Sequence, residues 1–174
     1  GPNWFDIQLE YLSADSAIQI LVDVWEVPQD DELRSFFKAK YKVLKPLKIQ
    51  QATRNFRLLE ITSRIQSLRY SHVASSNNSA QEIDYTKTPF FVDGQELDSR
   101  NSWVAVYGDQ KGSNAILIRD FSAPDSLAPA YSLQIGRYEK RFGDRPQDTR
   151  LMIVPKIDSL LLSPGDEFVI DGFW

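Results

Sequence analysis

The chain has 174 residues with 24 acidic and 20 basic side chains, a net charge of −4, and 42% hydrophobic and 12% aromatic content, the composition of a folded domain. Its lack of cysteine excludes disulfides, thiolate nucleophiles, iron–sulfur clusters and Cys-ligated zinc, and a single histidine, His72, excludes multi-histidine metal sites. A chain of this length buries roughly two-thirds of its unfolded surface and needs neither a disulfide nor a metal to fold.

The opening dipeptide Gly1-Pro2 resembles the remnant left when a picornaviral-type 3C protease removes an affinity tag. The expected organisation is therefore a remnant at 1–2 followed by one domain over 3–174, a fragment of a larger protein. No apolar run approaches the roughly 18 residues of a membrane-spanning helix, so this fragment is not expected to insert into a bilayer.

From Trp4 to Leu12, apolar Phe5, Ile7, Leu9 and Tyr11 alternate with polar Asp6, Gln8 and Glu10, the period of a strand with one dry face. Ser13-Ala14-Asp15-Ser16 has turn chemistry, and β-branched Ala17–Val27 predicts a second strand ending at Pro28. Signals for helix follow. Asp30, Asp31 and Glu32 offer a cap and negative charge at a helix N-terminus, while Leu33, Phe36, Phe37, Tyr41 and Leu44 recur at spacings of three and four. This pattern predicts an amphipathic helix over about 31–45, stopped by Pro46.

A second helix is expected over about 53–72, where Leu58, Ile61, Ile65 and Leu68 share one face. Phe56, Leu59 and Tyr70 gather on nearly the opposite face, so the same stretch also reads as a strand. The Ser- and Asn-rich segment from Ala74 to Thr88 reads as a loop. Beyond it, 102–107, 114–121, 131–135, 151–154 and 167–170 are short β-branched or aromatic runs between turn residues. The segment Gly108–Ser113 joins the first two as a hairpin, and Ser163-Pro164-Gly165-Asp166 suits a type II turn with positive φ at Gly165. The expected fold class is α+β: an antiparallel, β-rich domain with an N-terminal hairpin, one or two central helices and a C-terminal set of short strands.

Motifs for chemistry are scarce. The chain has no phosphate-binding glycine loop, no H-E-x-x-H and no G-x-S-x-G, so no catalytic, cofactor or metal residues are assigned. Three carboxylates and an arginine between Val92 and Arg100 lack EF-hand spacing and read as an acidic turn between strands. Leu133-Gln134-Ile135-Gly136-Arg137 resembles the I-G-R run that opens forkhead-associated phosphopeptide domains. Only 37 residues follow it and no S-x-x-H appears, so no residues are carried over. His72 lies among Ser71, Ser75 and Ser76, and reads as a surface or helix-end histidine.

Charge distribution is the feature above background. Between Arg34 and His72 lie ten basic residues (Arg34, Lys38, Lys40, Lys42, Lys45, Lys48, Arg54, Arg57, Arg64, Arg69) and one acidic residue, Glu60. This segment carries +9 against −13 in the remainder. Phe36, Phe37, Tyr41, Phe56 and Tyr70 are interleaved with these cations. The favoured expectation is a non-catalytic protein-interaction or scaffold domain of a larger assembly. It would dock an acidic protein partner through the basic segment 34–72, at Arg34, Lys38, Lys42, Lys45, Lys48, Arg54, Arg57, Arg64 and Arg69, or through an exposed strand edge. Alternatives are a nucleic-acid-binding module using the same cations and rings, and a small-ligand sensor or carboxylate-based hydrolase.

Overall fold

The strict alternation at the N-terminus becomes a hairpin. In the computed structural model, β1 (Phe5–Leu12) pairs antiparallel with β2 (Ile18–Gln29), setting Ile7, Leu9 and Tyr11 opposite Val24, Val22 and Ile20. The turn between them is tied by its own side chains. Ser13 Oγ accepts from the Ala17 and Ile18 amides at 2.9 and 3.0 Å, and Asp15 Oδ1 accepts from Ala17 N at 3.0 Å. Ser16 takes a positive φ of 56° to close the turn. The Ser13 hydroxyl, donating to Asp15 at 2.6 Å, holds that carboxyl below the usual aspartate range, with the Ala17 amide adding to it.

The structure describes residues 5–29, 32–50, 59–63, 71–82, 91–98, 100–108, 112–124, 133–142, 145–155 and 159–174. Among these residues every regular element is a strand, and no helix occurs. The hairpin is followed by β3 (Glu32–Val43), β4 (Leu47–Gln50), β5 (Leu59–Ser63), β6 (His72–Ser75), β7 (Asn78–Glu82) and β8 (Phe91–Leu97). The C-terminal half holds β9 (Arg100–Gly108), β10 (Gly112–Ser122), β11 (Leu133–Phe142), β12 (Arg145–Pro155), β13 (Ser159–Leu162) and β14 (Glu167–Phe173). One antiparallel sheet runs β1-β2-β3-β14-β10-β9-β6-β7, a second β5-β12-β11-β8, and a third pairs β13 with β4.

The C-terminal strand β14 lies between β3 and β10 in the interior of the large sheet, and so joins the N-terminal strands β1, β2 and β3 to β10, β9, β6 and β7. Its inner face supplies most of the core: Phe37, Ala39, Tyr41 and Val43 from β3, Phe168 and Ile170 from β14, and Ile116, Ile118 and Phe121 from β10. Leu97, Ile153, Leu160 and Leu162 from the two smaller sheets join the same cluster. At Gly172 the packing leaves no room for a side chain, since a Cβ there would stand 2.0 Å from the Leu117 carbonyl oxygen. Burial in this cluster raises the Tyr41 phenol to about 12. Ser163–Asp166 forms the expected tight turn: Gly165 has φ +96°, Asp166 N donates to Ser163 O at 3.0 Å, and Asp166 Oδ2 accepts from Ser163 N at 2.7 Å.

The α+β expectation is therefore corrected to all-β in the described residues. The helix expected over 31–45 is β3, hydrogen-bonded to β2 on one side and β14 on the other. From Phe37 to Val43, apolar and lysine residues alternate strictly, and two flanking strands satisfy the backbone as a ladder. The apolar spacings of three and four coexist with that alternation because Phe36 and Phe37 lie on opposite faces. The capping reading is corrected with it at Glu32, which sits in β3 opposite Gln29, while Asp30 and Asp31 lie outside the described residues.

The second expected helix, 53–72, contains β5 and the first residue of β6, with 51–58 and 64–70 outside the described residues. Here β12 supplies the partner that makes Leu59–Ser63 a strand, with Ile61 opposite Leu151. The loop expected after Ala74 includes β7, which returns along β6 through a turn at Ser76-Asn77. Pro28 does not end its strand, because β2 runs to Gln29 and pairs Pro28 with Leu33. The acidic run after Val92 is likewise in β8 as far as Leu97 rather than in a turn.

Candidate functional site

Period-two geometry sends every second residue of the large sheet to its outer face. Register brings one cross-strand row into line there: Trp25 opposite Phe36, Phe36 opposite Phe173, Phe173 opposite Leu117, and Leu117 opposite Trp103. Asp6 on β1 stands at the Trp25 end of that row. The rings touch. Trp25 stacks on Phe36 with centroids 5.7 Å apart and planes 10° from parallel, and Phe36 meets Phe173 at 5.4 Å.

A second, polar row runs beside the first, with Gln8 opposite Asp23, Asp23 opposite Lys38, and Lys38 opposite Asp171. Gln8 Nε2 donates to Asp23 Oδ1 at 2.9 Å. The irregularity between Ile118 and Asp120 in β10 places Arg119 within 3.2 Å of Asp171 Oδ1 and 5.6 Å over the Phe36 ring. A bulge has this effect because it turns two successive residues to one face. Where the two rows meet at β1 and β2, an open depression of ≈ 500 Å³ is lined by Asp6, Gln8, Asp23, Trp25 and Lys38.

The structure separates the sequence-expected basic residues. Lys38, Lys42, Lys45 and Lys48 are exposed and Arg34 is half-buried, whereas Arg54, Arg57, Arg64 and Arg69 lie outside the described residues. Lys38 and Lys42 share the outer face of β3 with Lys40, while Lys45 turns back to the first hairpin and donates to the Asp15 carbonyl at 2.7 Å. Acidic residues flank the β3 lysines. Lys38 faces Asp23 and Asp171, Lys42 faces Glu167, and Lys40 pairs with Glu167 at 2.8 Å. The +9 block is thus interleaved, over its described strand, with carboxylates supplied by β2 and β14.

His72 and Arg100 make contacts within the large sheet. His72 stacks on Tyr107 with ring centroids 5.2 Å apart, and its Nδ1 lies 2.8 Å from Ser71 Oγ. Arg100 pairs with Asp120 at 3.1 Å across β9 and β10. Among the described residues, no group of three or more His, Cys, Asp or Glu side chains is placed to hold a metal. No helix among them is long and apolar enough to cross a membrane.

The aromatic row went unread in the sequence because its members come from positions 25, 36, 103, 117 and 173. The local signal was present only in part, as apolar residues on the wet faces of alternating strands, such as Trp25 and Leu21 in β2. No protein-family model matches the chain, and neither the curated proteins nor the solved structures contain a match to it.

Proposed function

We propose that the chain is a non-catalytic protein-interaction domain that takes an extended segment of a partner protein as an added strand on β1. The observation that carries this reading is the character of that edge. β1 ends the large sheet, and among the described residues no strand pairs with its outer side. Its core-side residues remain open, Leu9 at 39% and Tyr11 at 52%. Such an edge offers unpaired N–H and C=O groups beside apolar surface, which is the template that strand addition uses.

Charge selects the partner. β1 carries Asp6 and Glu10 and no basic residue, so pairing with a second copy would bring carboxylates together across the new ladder. A strand alternating Lys or Arg with apolar residues complements it. The sheet already contains that combination, for β3 sets Lys38 and Lys42 against Asp23 and Gln19 of β2 while Ala39 and Tyr41 meet Val22 and Ile20.

The test is titration of the protein with fluorescent ten-residue peptides alternating lysine with valine or tyrosine, against glutamate-substituted counterparts and a single-stranded oligonucleotide. The lysine peptide is expected to bind, to protect β1 amides from hydrogen exchange, and to lose affinity in the Leu9→Lys variant. Preferential capture of the glutamate peptide would overturn the reading in favour of an acidic partner on segment 34–72. Preferential capture of the oligonucleotide, with a steep loss as salt rises, would replace it with nucleic-acid binding.

A further inference from the structure

We propose that the outer face of the large sheet is a carbohydrate-binding site, with a neutral pyranose ring seated against Trp25 in the depression between β1, β2 and β3. Its ≈ 500 Å³ falls within the roughly 300 to 1,000 Å³ of small-molecule sites, and it combines an aromatic wall with a few convergent polar groups.

The groups lining it match the two surfaces of a sugar. A pyranose presents axial and ring C–H bonds on its face, which pack on an electron-rich ring, and hydroxyls at its rim, each both donor and acceptor. Trp25 supplies the ring, held by its stack on Phe36. At the rim, Asp6 and Asp23 supply acceptors, and Gln8 and Lys38 supply donors. The Gln8 to Asp23 hydrogen bond orients the amide and carboxylate before any ligand arrives, and among the described residues Lys38 is in no ion pair or hydrogen bond. The lining carboxylates Asp6 and Asp23 disfavour an anionic ligand, and Lys38, opposite Asp23 on β3, opposes a cation, which leaves a neutral polyol as the best complement.

The site extends beyond one ring. With strands about 4.8 Å apart, the four steps from Trp25 to Trp103 span about 19 Å. From β2 to β10 the apolar row runs beside the polar row that ends in Asp171 and Arg119, with Arg119 lying over the Phe36 ring, and Trp103 on β9 extends the apolar row beyond it. Trp103 at the far end is 38% exposed. An oligosaccharide lying across the strands would place successive rings along the apolar row and their hydroxyls along the polar one. This site uses side chains of the sheet face, whereas strand addition uses the backbone of the β1 edge, so either can fail alone.

The test is calorimetric titration of the protein with the hexasaccharides of cellulose, xylan, mannan and chitin, in parallel with choline and inorganic phosphate. At least one hexasaccharide is expected to bind with little dependence on salt and to change tryptophan fluorescence. Trp25→Ala should weaken it at least tenfold, and Trp103→Ala should weaken the hexasaccharide more than the disaccharide. Lys38→Gln and Gln8→Ala alter exposed side chains and keep the test decisive if Trp25→Ala unfolds; each should weaken binding several-fold. Absence of binding by all four sugars at millimolar concentration, binding indifferent to Lys38→Gln and Gln8→Ala, or preference for choline or phosphate would overturn the proposal.

Discussion

The hairpin of β1 and β2 and the central strands β3, β14 and β10 carry the same alternation but end at different depths. On the inner face, Phe37, Phe168, Ile170 and Ile118 are all buried to 2% or less, whereas Leu9 and Tyr11 on β1 remain 39% and 52% exposed, with Ile20 and Val22 half-buried between them. Alternation decides which side chains face inward. Depth is set by what packs above them, and among the described residues the small sheets' Leu97, Ile153, Leu160 and Leu162 belong to the cluster of the central strands. The centre therefore holds the fold, and the hairpin is free to present an edge and an outer face.

Substitutions should widen this contrast. The largest effect is expected at Gly172→Ala, because the new Cβ would stand 2.0 Å from backbone oxygen that cannot move without breaking the β10 to β14 ladder. A loss of at least about 4 kcal/mol, or failure to fold, is expected in urea unfolding. Folding at near wild-type stability would contradict the close approach. Next, Phe168→Ala at the centre should cost about 3 to 5 kcal/mol, against less than about 1 kcal/mol for Leu9→Ala at the edge. Equal losses measured by the same method would refute the division into core and edge.

Alkaline titration probes the centre without deleting packing. The Tyr41 phenol is raised from 10.0 to about 12 by burial, so the folded state favours the neutral form. The corresponding stability is complete below pH 10 and is lost as pH rises toward 12. Its size is on the order of 2 to 3 kcal/mol. Tyr41→Phe should flatten that part of the pH profile, and an unchanged slope would count against the assignment. At the edge the sign reverses. The carboxyl of Asp15 is depressed, so its contribution is present above the usual aspartate range and fades as pH falls through the lowered value, and Asp15→Asn should remove this acid dependence.

A modest effect, above that of Leu9→Ala but below those at the centre, is expected at Gly165→Ala. Nothing lies within 4 Å of the added Cβ, so only the positive φ opposes it, and a loss of about 1 to 2 kcal/mol is expected from thermal melts.

Legibility in the sequence followed the range of the interactions. The first hairpin was readable because its alternation lies within one segment and its turn is tied by Ser13 and Asp15, four residues or fewer from most of the amides they bind. The Ser163–Asp166 turn was readable because proline and glycine set φ locally. β3 was misread because its apolar residues satisfy two periods, and the deciding partners are β2 just before it and β14 more than a hundred residues later. Lysines 38, 40 and 42 looked like the wet face of a helix. In the sheet they stand beside Asp23, Asp171 and Glu167, which no local window contains.

The chain by itself determined that the protein has a hydrophobic core, that cysteine and multi-histidine chemistry is excluded, and where the Ser13–Ser16 and Ser163–Asp166 turns and most C-terminal strands fall, since each depends on residue type or short-range sterics. Tertiary structure decided that the described regular elements are strands, that the two opposed charge blocks are interleaved along β3, and that five distant apolar residues form one row. Backbone hydrogen bonds in a sheet are made with whichever strand lies alongside, so conformation, charge environment and surface composition there depend on pairings between distant segments.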